Sequence, residues 1–318
     1  MMNKKSLTGA IIATVMASSI FNVGFAAAAG TPVMRPTNMP IKVLYNARQI
    51  ATDVQPVNVN GTVLVPIRFV SDKLGGKLTL TGKKISIVKG SSKLELTMGS
   101  SSATINGKAI PLPVSVRVSS GRTLVPLRVV SEGLNVSVQW DSVLRFVWIG
   151  SKSVPKIEDI AKPVDIKPFL PFYKGKEYLA EVYEEVPYKK ISVLTVNDFP
   201  FTLGIRTFYR IDLAYDTNRS LFIQTTSLDN SAMGFSYYYL INNSLPRFRP
   251  EARYLRSSPE SGIRKKFHPI ISQADKINDQ IQNYNELTIK DISYLGLSGD
   301  FRIKDDETSA IIIKNPWR

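Results

Sequence analysis

The chain has 318 residues, 43% of them hydrophobic and 21% charged. That is ordinary globular composition; it excludes a disordered tail or a collagen-like repeat, and the length suggests roughly two domains. With no cysteine and a single histidine, His268, the chain excludes disulfide scaffolds, thiol nucleophiles, iron–sulfur clusters and metal sites that need two or three imidazoles, so no cofactor is expected.

Lys4 and Lys5 precede an apolar run from Leu7 to Phe25 that leads into Ala26-Ala27-Ala28-Ala29-Gly30. A charged start, an apolar centre and a small-residue exit predict a secretory signal peptide over residues 1–29, cleaved near Ala28 or Ala29. An uncleaved membrane anchor is the alternative. No later segment has the length and apolarity expected of a transmembrane span. The expected location is secreted or extracellular cell surface, and nucleic acid is not an expected partner.

The net charge of +15 is unevenly spread. Residues 30–155 hold 16 Lys and Arg against 5 Asp and Glu, a net of +11, whereas residues 156–318 hold 23 against 21, a net of +2. A basic module attracts polyanions. On an exported chain these would be wall polymers or acidic lipid surfaces; the alternative is charge that only maintains solubility. Lys73, Lys77, Lys83, Lys84, Lys89 and Lys93 are the candidate anion-binding residues of this half.

Displaced by sixty residues, the sequence matches itself. Gly61-Thr-Val-Leu-Val-Pro-Ile-Arg-Phe-Val-Ser-Asp-Lys-Leu74 falls on Gly121-Arg-Thr-Leu-Val-Pro-Leu-Arg-Val-Val-Ser-Glu-Gly-Leu134, with eight of fourteen positions identical. Such self-similarity marks two copies of one supersecondary unit. In each copy, Gly61 or Gly121 ends a turn and Val63–Val65 or Thr123–Val125 predicts a short strand. Pro66 or Pro126 then starts a two-turn helix whose inner face is Ile67, Val70 and Leu74, or Leu127, Val130 and Leu134. Gly75 or Asn135 supplies a left-handed cap. Strands are expected at Leu78–Leu80 and Ile85–Val88, and again at Val136–Trp140 and Arg145–Ile149. Arg68 and Arg128 each precede an acid, Asp72 or Glu132, by four residues; this spacing predicts helical ion pairs worth roughly 0.2–0.5 kcal/mol.

Gly121-Arg-Thr-Leu-Val-Pro-Leu-Arg-Val-Val-Ser-Glu132, with Val138-Gln-Trp-Asp141 and Phe146-Val-Trp-Ile-Gly150, resembles the copper amine oxidase N-terminal-like family, a "stalk" domain common in exported proteins of Gram-positive bacilli. The resemblance covers about residues 40–150. It implies an antiparallel sheet wrapped around a helix, a non-catalytic appendage carrying neither copper nor quinone. The first copy departs from the pattern, with Thr79-Leu80-Thr81 where the second has Gln139-Trp140-Asp141. Amine oxidation itself is excluded: Asn283-Tyr284-Asn285-Glu286 only approximates the quinone-forming motif, and one histidine cannot supply the three that copper needs in that family.

Ser151 to Gly175 holds four prolines and reads as an extended linker or a strap lying against a domain. Beyond it, strands are expected at Ile191–Val196, Ile205–Tyr215, Leu221–Thr226, Phe235–Ile241, Thr288–Tyr294 and Ala310–Ile313. Ile270, Ala274, Ile277, Ile281 and Tyr284 follow the spacing of one long amphipathic helix. No nucleophile motif is present; Gly296-Leu-Ser-Gly299 reads as a turn. His268 precedes Pro269 at the edge of a basic loop and reads as a surface histidine, or one at the start of a helix, rather than a catalyst. Glu184/Glu185 and Asp305/Asp306 are sequence neighbours that a strand would point to opposite faces, so neither makes an acid–base couple. Two binding features stand out. Tyr237-Tyr238-Tyr239 could place an aromatic platform on one strand face, core packing being the alternative. Arg247 to Lys266 is a basic loop, with Arg264, Lys265 and Lys266 as candidate anion-binding residues.

The fold class expected is α+β: a duplicated antiparallel-sheet-plus-short-helix module, then an antiparallel α+β domain with one long helix. The expected division is a signal peptide at 1–29, the repeat domain at 30–150, a linker at 151–175 and an aromatic-rich domain at 176–318. The function expected is non-catalytic binding at the cell surface, the basic module contacting an anionic envelope polymer and the C-terminal domain holding a ligand or partner. The alternatives are a secreted hydrolase with a carboxylate site in the C-terminal domain and a structural, oligomerising surface protein. The oligomeric state is not legible.

Overall fold

Between Leu78 and Leu96 apolar residues alternate with Lys, Ser, Thr and Glu, the period that turns one strand face inward. The computed structural model describes residues 32–318 except 36, 38, 51, 183–185, 229–235, 253–261 and 299–308. The signal-peptide assignment, Glu184/Glu185 and Asp305/Asp306 therefore lie outside the described residues. The alternating region forms a meander of Lys77–Thr81, Lys84–Lys89, Ser92–Thr97, Ser102–Ile105 and Lys108–Pro111, each strand antiparallel to the next. The last three strands had no counterpart in the sequence reading. Ile85, Ile87, Leu94 and Leu96 are buried on one face, while Lys77, Lys84 and Lys93 stand exposed.

The repeated segments meet each other. Thr62–Pro66 pairs antiparallel with Arg122–Pro126, and Val65 lies opposite Val125, the residue sixty positions on. Each strand is entered through a two-residue hairpin, Asn60-Gly61 or Ser120-Gly121, with both residues at positive φ, the conformation a tight hairpin requires. Each leads into a seven-residue helix, Ile67–Lys73 or Leu127–Gly133. The helix ends also correspond. Gly75 and Asn135 take left-handed conformations, as expected from sequence, and Ser71 and Ser131 donate to the carbonyls of Arg68 and Arg128. Leu127, Val130 and Leu134 are all buried. A third sheet closes the module: Lys42–Tyr45 runs parallel to Phe146–Ile149, and Val138–Asp141 and Arg48–Gln49 flank the pair.

The C-terminal half is two packed sheets. One, in spatial order, is Val164–Asp165, Lys190–Leu194, Ser309–Lys314, Ile292–Ser298, Ser236–Ile241 and Arg247–Arg249. The other is Phe201–Leu203, Arg206–Tyr215, Leu221–Leu228 and Ile263–Pro269. Phe201, Phe208, Ile211 and Ile223 from the second pack against Tyr239, Leu295, Leu297 and Ile311 from the first. The opposite face of the six-stranded sheet, including Tyr238, Leu240 and Ile312, is covered by Ile166, Tyr173, Leu179 and Tyr188. Residues 151–175 therefore include a packed strap: Ile157, Ile166 and Tyr173 are buried, and Lys156 bridges Thr202.

The protein is mostly β-sheet, and no described helix exceeds seven residues. The long amphipathic helix expected from Ile270 to Tyr284 does not form. Ser272 caps a helix over Gln273–Asp279 by accepting from the Ala274 N–H, and Gln280 ends it in a left-handed conformation. Ile270 belongs to the core beyond the preceding strand, whereas Ile277 is 73% exposed. The apolar spacing thus joins residues from separate elements. The strand expected at Thr288–Tyr294 begins later, at Ile292, after a 3-10 turn over Ile289–Asp291.

Residues Val33–Arg318 form one compact unit. Arg210 is fully buried where the halves touch: its guanidinium grips Asp212 through two hydrogen bonds of 2.6 Å and donates to the carbonyls of Leu144 and Pro40 at 2.6 and 3.2 Å. Phe146, beneath it at 5.5 Å, belongs to a small core with Leu44, Leu144, Trp148, Tyr209 and Ile263. Gln49 adds hydrogen bonds to the carbonyls of Val196 and Phe199.

Candidate functional site

Of the candidate lysines, Lys77, Lys84 and Lys93 stand on the outer face of the five-stranded sheet, Lys83 lies in the turn beside it and Lys73 ends the first helix. Strand register puts Lys77, Val88 and Lys93 in one row across three strands, with Thr81, Lys84 and Thr97 in another. Lys73, Lys77, Lys83, Lys84 and Lys93 are exposed and Lys89 is half-buried. Glu95 is the acid on this face: Lys93 holds it at 2.8 Å, and hydrogen bonding from Lys93 keeps its carboxyl below the usual range. Lys83 and Lys84 lie at one end of the strands and Lys77 and Lys93 at the other, where Lys89 has the parity of the inward-facing Ile85 and Ile87.

Two clefts flank the paired strands Thr62–Pro66 and Arg122–Pro126, and positions sixty residues apart line them. Each cleft takes its floor from the helix of one copy and its rim from the hairpin of the other. The first has a volume of about 370 Å³ and sets Arg68 and Asp72 against Gly121 and Arg122, with Leu80 at its mouth. The second, about 560 Å³, sets Arg128 and Glu132 against Gly61 and Thr62, with Trp140 at its mouth. Where the first has Asp53, the second has Pro113. Arg122 and Asp53 form an ion pair of 2.5 Å in the first cleft, and hydrogen bonding from Arg122 draws the Asp53 carboxyl below its ordinary pKa. Thr62 and Pro113 cannot make that pair. In the second cleft Nε of Arg128 donates to Glu132 at 2.8 Å, one helical turn along, as the sequence spacing predicts.

The C-terminal candidates are interior residues. Tyr237, Tyr238 and Tyr239 alternate between the two faces of their strand, as expected, but both faces are covered and the three are 3%, 1% and 0% exposed. The aromatic platform is therefore corrected to core packing. Tyr238 leans over Gly296, whose missing side chain makes the approach possible, so Gly296 to Ser298 is strand rather than turn. Arg264, Lys265 and Lys266 lie on the strand Ile263–Pro269, paired with Leu221–Leu228, not in a free loop. Alternation turns Lys265 away from its neighbours and Lys266 is 8% exposed, so the three present no common anion site. Arg253 and Arg256, from the same basic run, lie outside the described residues.

His268 is likewise not a surface residue. It is fully buried, its Nδ1 3.0 Å from the carbonyl oxygen of Arg249, its Nε2 3.3 Å from the Thr225 hydroxyl, and its ring 4.5 Å from that of Tyr237. Burial pushes its pKa down to about 4, against a smaller upward pull from the Arg249 carbonyl and the Glu251 charge. Beside it Arg249 is 0% exposed and uses its whole guanidinium. It makes paired bonds to Asp275 at 2.7 and 2.6 Å and donates to the carbonyls of Phe248, Pro269 and Ile270. A group so fully committed holds the structure and has no donor left for a ligand. In sequence Arg249 falls within the basic run from Arg247 to Lys266, and only the Arg247-Phe-Arg249 alternation marks it as strand.

Among the described residues no three His, Asp or Glu side chains gather into a metal site, and no helix is long and apolar enough to cross a membrane. Comparison with curated proteins gave no match, and comparison with solved structures gave none. Residues 44–149, under half of the chain, match the family described as copper amine oxidase N-terminal domain, so the resemblance carried by the second repeat holds for the non-catalytic module.

Proposed function

We propose that this chain is an exported, non-catalytic binding protein of the bacterial cell surface or wall. In this reading the two sixty-residue copies are a duplicated sheet-plus-short-helix module that holds the protein to anionic envelope polymers, and the C-terminal α+β domain presents a ligand or partner surface. The observation that carries it is the five-stranded sheet, whose inner face is sealed in the core while Lys77, Lys84 and Lys93 stand in solvent on neighbouring strands. A polyanion laid across that face would meet both lysine clusters with a single acid, Glu95, among them. The net of +11 over residues 30–155 supplies the long-range attraction.

Electrostatic attachment weakens as salt shortens the screening length from about 10 Å at 0.1 M to about 3 Å at 1 M. A pull-down on purified cell wall across that salt range should show binding that falls steeply, and Lys77→Glu with Lys84→Glu should abolish most of it. Salt-independent retention, or retention unchanged in the double variant, would overturn the reading.

A further inference from the structure

We propose that the cleft beside Trp140 is a binding site for a neutral sugar ring of a glycan chain. The inference does not depend on the polyanion reading, because it uses a different surface and a different kind of contact.

A large aromatic residue is costly to leave in water unless something covers it, and Trp140 is 40% exposed whereas Trp148, on the directly paired neighbouring strand, is 4% exposed. The twin cleft shows what this position does without a sugar to stack. There the equivalent residue is Leu80, also about two-fifths exposed at 41%, and the Arg122–Asp53 ion pair occupies the rim. Three differences between the copies act together. Leu becomes Trp, Arg122 becomes Thr62, and Asp53 becomes Pro113. The result is a cleft about half as large again, with an aromatic face at its mouth and no charge pair across it.

The polar equipment selects the ligand. Arg128 and Glu132 neutralise each other at 2.8 Å, and their side chains remain 86% and 54% exposed. Side by side they offer planar donors and planar acceptors, which suits adjacent hydroxyls that each donate and accept. An anion would approach Glu132 and a cation would approach Arg128, so neither gains the net attraction a neutral polyol avoids needing. The C–H bonds on one face of a pyranose carry slight positive charge and lie flat on the negative face of an indole. The volume of about 560 Å³ lies inside the usual range of about 300–1,000 Å³ for small-molecule sites.

The test titrates the full mature chain with neutral oligosaccharides of N-acetylglucosamine, glucose and mannose, read by calorimetry and by tryptophan fluorescence. At least one should bind, with an affinity that is indifferent to salt between about 0.1 and 1 M. Trp140→Ala should weaken it roughly tenfold or more, the loss expected of one stacked aromatic with its buried area. The double variant T62R with P113D rebuilds the ion pair of the twin cleft while keeping Trp140, and should weaken binding similarly. Lys77→Glu with Lys84→Glu should leave sugar binding unchanged even where wall attachment is lost. Absence of binding by every oligosaccharide, equal binding by Trp140→Ala, or binding confined to an anionic polymer or an apolar peptide would each overturn the proposal.

Discussion

The single histidine gives the sharpest test of the packing described above. His268 is buried as a neutral ring between the strands Ile263–Pro269 and Leu221–Leu228, with the Arg249 carbonyl, the Thr225 hydroxyl and the Tyr237 ring around it. Glu251 and Lys266 are the charged side chains that act on it, in opposite directions. Its folded pKa of about 4 lies below the ordinary 6.5, so between those values the unfolded chain binds the proton and the folded chain does not. Stability is therefore complete above about pH 6.5, falls as the pH drops through this window, and levels off below about pH 4. At about 1.4 kcal/mol per pH unit the whole displacement is about 3 kcal/mol, and about 2 kcal/mol of it is lost between pH 7 and pH 5. Because the chain has one histidine, its imidazole resonances can be followed by NMR without assignment, alongside urea unfolding at both pH values. His268→Gln should flatten that part of the pH dependence while costing stability at neutral pH. An NMR midpoint near 6.5, or a pH dependence identical in the variant, would refute the buried-neutral assignment.

Other interior contacts make further predictions. Arg249→Met should cost about 3 kcal/mol, because buried Asp275 loses both of its hydrogen bonds to Arg249 and keeps only Arg247, 3.6 Å away, and adding Asp275→Leu should restore part of the loss; chemical denaturation of the parent and both variants checks this. Gly296→Ala should destabilise by about 3 kcal/mol or prevent folding, since an added Cβ would lie 2.0 Å from the Tyr238 ring, and Tyr238→Ala in the same chain should relieve part of it in a thermal melt. Arg210→Ala should cost a similar 3–5 kcal/mol and split one melting transition into two as the halves lose their shared contact; an unchanged single transition in calorimetry would count against the interface described.

The repeat was the most legible part of the chain. Proline after a short apolar strand, apolar residues three and four apart, and a Gly or Asn at the cap all act locally, so each could be read from a few neighbouring residues. The strands Lys190–Leu194, Arg206–Tyr215 and Leu221–Leu228 were visible for the same reason. Long-range pairing was not. The stripe from Ile270 to Tyr284 had helical spacing, yet a serine cap and a left-handed Gln280 limited the helix to two turns. Tyr237 to Tyr239 alternated as expected, but whether the strand's outer face met water depended on the strap from Ile166 to Tyr188, far away in sequence. Nothing local to Arg210 and Asp212 says that this charged pair is buried against Leu144 and Pro40 of the first module. His268 and Arg249 sat in a run of positive charge whose composition suggested exposure. The Trp140 cleft needed the two copies side by side, because its rim comes from the hairpin of the other repeat.

The parallel pairing of Lys42–Tyr45 with Phe146–Ile149 has a mechanical consequence. The chain enters the module at the start of one strand and leaves it at the far end of its neighbour. Tension applied through these two points pulls the strands past one another lengthwise, so the hydrogen bonds of the ladder share the load instead of opening one at a time. A module clasped in this way resists being drawn out by a pull along the chain.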